Sequence, residues 1–196
     1  MFKREKIYYL AIVWLSIFIL GATPVFATSS ISIEFGEADV DNQTIPILYN
    51  STGDISGFQF FIIGMDITNI FGGVAGENNF YLHQGATCWG RDNDCKDFVL
   101  GFSESVSFVP PGSGILFYLN YAEIGGDDPF DDNIIVSDLT CLDISAGFII
   151  GPQGPFEVDM GECMDSPVDC NGDYYGSAYY DECGICSEGG TEHVPN

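Results

Sequence analysis

Short apolar runs with a period of two dominate the chain from Ser29 to about Met160. Ile31, Ile33 and Phe35 alternate with polar neighbours, and Gly, Asn, Asp and Pro residues separate one run from the next. Alternation at this period is typical of β-strands that bury one face. The pattern predicts strands at or near residues 31–35, 45–49, 55–63, 79–82, 98–103, 114–121, 133–136, 147–150 and 156–160.

These short strands predict an all-β fold, a two-sheet antiparallel β-sandwich over residues 28–164. In the run at residues 55–63 we expect Phe58, Phe60 and Ile62 to face the core and Gln59 to face solvent. The pattern shows no persuasive amphipathic helix in this region, although residues 65–70 have the spacing of a single helical turn.

The first 27 residues have the three zones of a cleavable export signal. Lys3, Arg4 and Lys6 form a positive end, and an apolar core of 14 residues follows at 7–20. A spanning helix needs about 20 apolar residues. We therefore expect cleavage after Ala27, a secreted or cell-surface protein, and no membrane insertion once the signal is removed; an uncleaved membrane anchor is the alternative.

Removal of this segment makes the chain more acidic, because three of its five basic residues are lost. Arg91 and Lys96 then face 28 of the 29 acids, so the formal net charge moves from −24 to −26. A surface this acidic repels phosphates, which argues against nucleic acid and anionic membranes as partners. Divalent cations and neutral ligands are favoured instead.

The composition changes abruptly after Cys163, where Ile, Leu and Val almost vanish and Asp, Gly, Tyr and Cys dominate. Residues 165–196, called the tail below, therefore need disulfides, bound metal or repetition to hold a shape. We expect the tyrosines of the tail to cover its own small core. These are Tyr174, Tyr175, Tyr179 and Tyr180.

All seven cysteines follow the predicted cleavage site, in a compartment where thiols normally oxidise. The simplest pairing closes a local loop between Cys88 and Cys95 and ties the end of the sandwich through Cys141 and Cys163. Three cysteines cannot all pair with one another, so one thiol of the tail stays free or bonds to another chain. The tail cysteines are Cys170, Cys183 and Cys186.

Two acidic segments are candidate calcium sites, because oxygen side chains at alternate positions are how a calcium loop begins. The ligands of the first are Asp169, Asn171 and Asp173, with Asp181 or Glu182 to close the loop. The ligands of the second are Asp127, Asp128 and Asp131. The alternative for both segments is a solvated acidic loop.

Trp89 and Tyr81 are candidate ligand contacts, since aromatic rings on loops or sheet faces stack against sugars. The alternative for Trp89 is a ring that packs under its own disulfide loop. With His83 and His193 as the only histidines, no Ser-His-Asp or Cys-His set can be assembled. We therefore expect no enzyme.

Two sets of residues resemble known families. Residues 55–62 (ISGFQFFI), 99–103 (VLGFS) and 110–116 (PPGSGIL) resemble the extracellular β-sandwich modules of the cohesin and carbohydrate-binding superfamily, over roughly 29–163. This resemblance implies a jelly-roll sandwich that binds a dockerin, a polysaccharide or another surface protein. Residues 169–186 are similar to the "DCNG…GSA…DECGxC" repeats found in tandem on secreted and surface proteins.

These observations together predict a secreted or cell-surface binding or adhesion module without catalytic activity, which recognises a polysaccharide or a protein partner. Two alternatives remain open. One is a structural surface-layer or spacer unit that assembles through its cysteine-rich tail. The other is an ancillary domain of a secreted hydrolase.

Overall fold

Strands make up most of the chain described by the computed structural model, which covers residues 28–40, 42–89, 94–103, 107–122 and 138–195, without the side chains of 88, 89, 94 and 95. The export signal and the predicted strand at 133–136 lie outside these residues. The strands are β1 (Ser30–Phe35), β2 (Thr44–Ser51), β3 (Gly57–Ile63), β4 (Ile67–Phe71), β5 (Phe80–Trp89), β6 (Asp94–Ser103), β7 (Gly112–Tyr121), β8 (Leu139–Gly151), β9 (Gly154–Pro155), β10 (Glu157–Met160), β11 (Met164–Asp165), β12 (Tyr179–Tyr180) and β13 (Cys186–Ser187). The helical elements described are α1 (Gly73–Glu77) and a 3-10 turn (Gly189–Thr191).

Two packed sheets confirm the predicted β-sandwich. The first sheet has the strand order β10-β1-β2-β7-β4, and the second has the order β11-β8-β3-β6-β5, with β9 beside β8. Neighbouring strands are antiparallel except β1 and β10, which are parallel. None of the helices in the described ranges has the length and apolar character needed to cross a bilayer.

The helical turn expected at residues 65–70 is wrong, because Ile67–Phe71 forms strand β4 and the helix begins later, at Gly73. Ile67 and Ile70 are both buried, and their spacing of three residues imitates a helical period. The register between β4 and β7 shifts between Ile67 and Asn69. This irregularity adds a residue, so two positions of opposite parity both reach the core.

Aromatic rings from both sheets fill the core. Phe58 on β3 stacks on Phe117 of β7, with ring centroids 5.4 Å apart, and Phe60 packs beside them. Phe58, Phe60 and Ile62 are fully buried, as the alternation predicts. Gly101 on β6 gives the Phe58 ring its space, because a Cβ there would lie 2.2 Å from the ring. The core therefore requires a residue without a side chain at position 101.

A buried carboxylate joins the two sheets at the edge formed by β4 and β5. Asp97 on β6 points inward and accepts a hydrogen bond of 2.6 Å from the backbone N–H of Ile67. Gln84 on β5 donates to the carbonyl oxygen of Thr68, at 2.9 Å. Burial raises the pKa of Asp97 from 3.8 to about 6, although the hydrogen bond from Ile67 lowers it. The carboxylate therefore costs stability when it is ionised.

We expect Asp97→Asn to stabilise the protein at neutral pH, by about 2 kcal/mol. The folded state holds the Asp97 proton more tightly than the unfolded state. The stability this gives is fully present below pH 3.8 and is lost as the pH rises through about 6. Asparagine keeps an acceptor oxygen for Ile67 and carries no charge. Urea unfolding between pH 4 and 7 measures the effect, and an Asp97→Asn protein less stable than wild type at pH 7 would contradict it.

Candidate binding face

The outer surface of the second sheet carries two rows of side chains that cross four strands. The pairing of β8, β3, β6 and β5 sets Ile150, Gly57, Phe102 and Tyr81 side by side in one row. Residues paired across strands point to the same side of a sheet. The next row consists of Phe148, Gln59, Leu100 and His83. These rows form a broad apolar surface on an otherwise acidic chain.

The aromatic rings of this surface contact one another and remain open to solvent. We call it the aromatic face and define it as Tyr81, His83, Phe98, Leu100, Phe102, Phe148 and Ile150. The ring of Tyr81 lies 5.2 Å from that of Phe102 and 6.2 Å from that of His83. Tyr81 is 48% exposed, Phe148 is 41% exposed and Phe102 is 38% exposed. Exposed apolar groups that lie together mark interaction sites more often than scattered ones do.

A glycine allows one ring of the aromatic face to lie across the edge strand. Phe98 on β6 pairs with Gly85 on β5, and a Cβ at Gly85 would lie 2.9 Å from the Phe98 ring. The Phe98 ring also meets His83 and Phe61 edge-on, with centroids 6.2 Å and 6.4 Å apart. The Phe98 ring therefore occupies the space that a side chain at Gly85 would fill, while the His83 ring of the same strand β5 lies beside it.

An ion pair borders the aromatic face. The Lys96 ammonium on β6 lies 3.7 Å from the carboxylate of Asp143 on β8, and both side chains are partly exposed. Burial raises the pKa of Asp143, but the hydrogen bonds from Ser145 and the charge of Lys96 outweigh it and hold the pKa below its usual value. One of the two basic residues after residue 27 is thus engaged beside this surface.

The first sheet presents a different outer surface, which is polar and acidic on the side of β10 and β1 and carries the ring pair of Phe71 and Tyr118 on the side of β4. Its strand pairing aligns Asp159, Ser32, Asn50 and Ser113 in one row. Glu157 lies beside Ser30 at the same edge. The two outer surfaces of the sandwich therefore differ in chemistry, and the aromatic face is the one suited to burial against a partner.

The structure places one of the two predicted ligand contacts on this surface. Tyr81 belongs to the aromatic face, whereas the side chain of Trp89 lies outside the described residues. Sequence reasoning missed Phe98, Leu100 and Phe102. Their signal was present, because they occupy alternate positions of β6 while Val99 and Gly101 between them face the core. From sequence alone, a strand with apolar residues on both sides is expected to be buried on both sides. The positions of the neighbouring strands are needed to show which side is exposed.

The tail contains two matching loops, of which the first spans residues 169–173. One carboxylate oxygen of Asp169 accepts hydrogen bonds from the backbone N–H groups of Asn171 (2.9 Å) and Asp173 (3.0 Å). The other oxygen accepts from the N–H of Ala178, at 3.0 Å. Gly172, the fourth residue, has a φ of 91°, a value that favours glycine. The buried Asp169 side chain thus organises the loop.

The second loop, residues 181–185, repeats this arrangement. One oxygen of Asp181 accepts from the backbone N–H groups of Cys183 and Ile185, both at 2.9 Å. Gly184 has a φ of 74°. In both loops the first residue also donates its N–H to the carbonyl of the fifth, at 3.0 Å and 2.9 Å. The tail is therefore built on two copies of one aspartate-centred loop, with the sequence Asp-x-x-Gly-x.

Tyr175 anchors the tail in the sandwich. Its side chain is 1% exposed and belongs to the hydrophobic core, where it meets Tyr121 of β7 edge-on at 4.9 Å. Its hydroxyl bonds to the hydroxyls of Thr140 and Ser166. Tyrosines were expected to cover a core of the tail itself, and for Tyr175 this is wrong. The other three are exposed: Tyr174, Tyr179 and Tyr180.

Tyr121 has an unusual polar environment beneath this anchor. Its hydroxyl is buried and has no hydrogen-bond partner within the described ranges. Burial, followed by the proximity of Tyr175 and Asp39, raises the pKa of Tyr121 to about 12. The hydroxyl therefore stays protonated at any physiological pH.

Two disulfides hold this part of the molecule. Cys141 and Cys163 join β8 to the segment before β11, as the sequence predicts. Cys170 and Cys186 join the first loop to strand β13. Cys183, included among the disulfide candidates, is exposed and has a free thiol, because Cys170 pairs with Cys186 instead. For Cys88 and Cys95 the backbones lie opposite each other in the β5–β6 ladder, and their side chains lie outside the described residues.

The predicted calcium ligands of the tail already have hydrogen-bond partners. Asp169 and Asp181 bind backbone N–H groups, and Asp173 accepts from the Asn171 amide at 2.7 Å. Glu182 is exposed. Within the described residues no group of three His, Cys, Asp or Glu side chains could hold a metal ion. The acidic loop of Asp127, Asp128 and Asp131 lies outside those residues, so calcium binding stays a prediction.

A serine, a histidine and an aspartate meet in the tail, but in an order unlike that of a hydrolase. The Ser187 hydroxyl lies 3.0 Å from Nδ1 of His193 and donates to Asp181 at 3.4 Å. The serine is thus in the middle, whereas nucleophilic catalysis places the histidine between the other two. Ser187 is fully buried. The three residues close the end of the tail.

Comparison with known proteins finds a limited structural similarity and no sequence relative. No model of a known protein family matches the chain, and no curated protein matches it closely enough to count as a relative. Among solved structures, a non-cellulosomal cohesin from the hyperthermophilic archaeon Archaeoglobus fulgidus is similar, with 13% sequence identity and a TM-score of 0.41. The similarity covers 67% of this chain and 86% of that chain.

We expect Asp169→Ala to loosen the tail, because three backbone N–H groups lose their acceptor, at a cost of about 2 kcal/mol or more. Asp173→Ala is the matched control, since it removes one exposed hydrogen bond from the same loop. Limited proteolysis followed by mass spectrometry measures how fast the tail is cut. Equal rates for Asp169→Ala and wild type would contradict the role of Asp169. The digestion is also repeated with EDTA. If the tail binds calcium, EDTA should make cleavage of the wild-type tail faster; equal rates with and without EDTA would contradict calcium binding.

Proposed function

We propose that this chain is an extracellular binding module without catalytic activity, and that it recognises a protein partner through the aromatic face. The observation that carries this proposal is the cluster of exposed rings on one outer surface of a chain whose net charge is −24. Rings that stay in contact with water gain no free energy of burial, whereas rings that are buried against a partner contribute to the free energy of binding.

The composition of the aromatic face favours a protein over a polysaccharide. Leu100 and Ile150 lie among the rings, and aliphatic side chains gain little from contact with a hydrated sugar. Sugar-binding surfaces combine aromatic rings with several side chains that bond to hydroxyl groups. Tyr81, His83 and the neighbouring Gln59 have that capacity, but the other five residues of the aromatic face lack it: Phe98, Leu100, Phe102, Phe148 and Ile150. Protein interfaces, in contrast, are enriched in aromatic residues at their centres.

The charge of the chain supports a partner with a neutral or basic surface. Opposite charge around an apolar contact speeds association and excludes acidic competitors. An extracellular setting is supported by the disulfides Cys141–Cys163 and Cys170–Cys186, because such bonds persist in oxidising compartments. The export signal at residues 1–27 remains part of the proposal.

We expect Phe102→Ser and Phe148→Ser each to weaken partner binding by about tenfold or more, since central aromatic residues carry most of the energy of an interface. Phe71→Ser is the matched control, because Phe71 is similarly exposed but lies on the first sheet, stacked on Tyr118. Immobilised protein of residues 28–196 is incubated with medium in which the source organism has grown, and the captured proteins are compared among variants of equal thermal stability.

Capture that is lost with both aromatic-face variants and retained with Phe71→Ser supports the proposal. Capture unchanged by Phe102→Ser and Phe148→Ser contradicts it. The same variants are also mixed with insoluble polysaccharides. Retention on a polysaccharide that disappears only with the aromatic-face variants would assign the surface to a sugar and overturn the protein partner.

We expect the full chain, produced in a secreting host, to appear in the medium with Thr28 as its first residue. N-terminal sequencing measures this directly. Ala27→Trp should block cleavage and retain the chain in the cell, because the signal peptidase reads a small residue at this position. A wild-type chain that stays in the membrane fraction with residues 1–27 attached would show an anchor instead of a cleaved signal.

A further inference from the structure

The two sheets end in edge strands, and most of these edges are protected against pairing with another strand. In the first sheet, β10 carries the exposed acids Glu157 and Asp159. In the second sheet, β11 and β9 are two-residue strands that cover the ends of β8. Short length and edge charges are the devices by which natural sheets avoid edge-to-edge association.

The edge strand β4 is protected in another way. It has five residues and an irregular register beside β7. Asp97 accepts from the Ile67 N–H, and the Gln84 side chain donates to the carbonyl of Thr68 and, at 3.4 Å, to that of Ile67. Side chains from the second sheet thus already form hydrogen bonds with the backbone groups of β4 that an added strand would need.

Strand β5 has none of these protections. It is ten residues long and pairs with β6 through ten consecutive positions without a register shift. Its sequence, FYLHQGATCW, contains no Asp, Glu, Lys, Arg or Pro. Other strands are also free of charge, but β5 is the longest edge strand among the described residues. Such an edge is a ready template for strand addition.

The backbone of β5 has unused hydrogen-bonding groups. In an antiparallel pair, every second residue of an edge strand directs its N–H and C=O away from its neighbour. From Phe80 to Thr87 the backbone makes no hydrogen bond beyond the ladder with β6 to any described residue. About four residues of this stretch therefore have donors and acceptors that no described residue uses.

The charge distribution indicates which strand can fill this edge. Two copies of the chain repel each other wherever their acidic surfaces meet, because each carries a net charge of −24. Along β5 no like charges come into register, so a second copy can approach here without that cost. An antiparallel β5–β5 pair is also self-complementary, as the common two-fold dimers require.

We propose that β5 pairs with β5 of a second copy of this chain, so that two sandwiches form a symmetric dimer with one continuous sheet. A two-fold axis perpendicular to the sheet, near Gln84 and Gly85, keeps both outer surfaces on the same side. The aromatic faces of the two copies, which reach the edge through Tyr81 and His83, then join into one surface. This inference goes beyond the proposed function and does not depend on any other partner.

Sedimentation equilibrium of residues 28–196 tests the proposal over a range of protein and salt concentrations. We expect a monomer–dimer equilibrium whose dissociation constant falls as salt rises, because salt screens the repulsion between the acidic copies. His83→Glu should raise the dissociation constant by about tenfold or more, since it places like charges on both sides of the two-fold axis. Phe148→Glu is the matched control, with the same charge on the same surface but on β8.

Amide hydrogen exchange of the wild type supplies a second measurement. Alternate amides between Phe80 and Thr87 should exchange more slowly as the dimer fraction rises. A chain that stays monomeric at every protein and salt concentration would overturn the proposal. A strand of another protein would then be the candidate to pair with the edge of β5. Equal loss of the dimer with His83→Glu and Phe148→Glu would also overturn it, because the aromatic faces would then be the contact. Neither outcome requires the partner capture to fail, so the two proposals are tested separately.

Discussion

The stack of Phe58 on Phe117 between the two sheets determines much of the remaining structure. Phe58 lies on β3, which has hydrogen-bonded neighbours on both sides, so its inward position fixes the register of β6 and β8. In a pleated sheet a residue that points in forces its neighbours to point out. Packing of the Phe58 ring against Gly101 therefore also sends Leu100 and Phe102 to the outer surface. The aromatic face is a geometric consequence of how the core is packed.

The sandwich separates its chemistry by surface. Acids and small polar residues lie on the first sheet at β10 and β1, with the ring pair of Phe71 and Tyr118 at β4. Rings and aliphatic groups extend across the second sheet to its uncharged edge at β5. A chain this acidic gains solubility from its charge, and the same charge restricts where another macromolecule can approach. The region of low charge is thus the place where contact costs least. The carboxylates of the tail have a different task, because Asp169 and Asp181 hold backbone N–H groups where an apolar core is lacking.

The alternating pattern was sufficient to predict the sandwich and the inward side of β3, because burial of one face imposes a period of two. It failed at β4, where an irregular register gives Ile67 and Ile70 the spacing of a helix. It could not assign the outer side of β6, because Phe98, Leu100 and Phe102 look like core residues until the neighbouring strands are known. Tyr81 was identified by its aromatic character alone. The position of Tyr175 was not predictable, because composition marks the tail as a separate segment and contains no information on long-range docking.

The anchoring of Tyr175 has a practical consequence for how this protein can be divided. Composition suggests a cut between residues 164 and 165, which would leave the sandwich apparently whole. Such a fragment would lack the ring that packs on Tyr121 and the hydroxyl that bonds to Thr140. It would leave a cavity beside Tyr121 and expose core residues of the sandwich, a defect of the kind that leads to aggregation. The contacts of Tyr175 with Tyr121 and Thr140 thus cross the boundary that composition suggests, so a fragment that ends at residue 164 loses part of its own core packing.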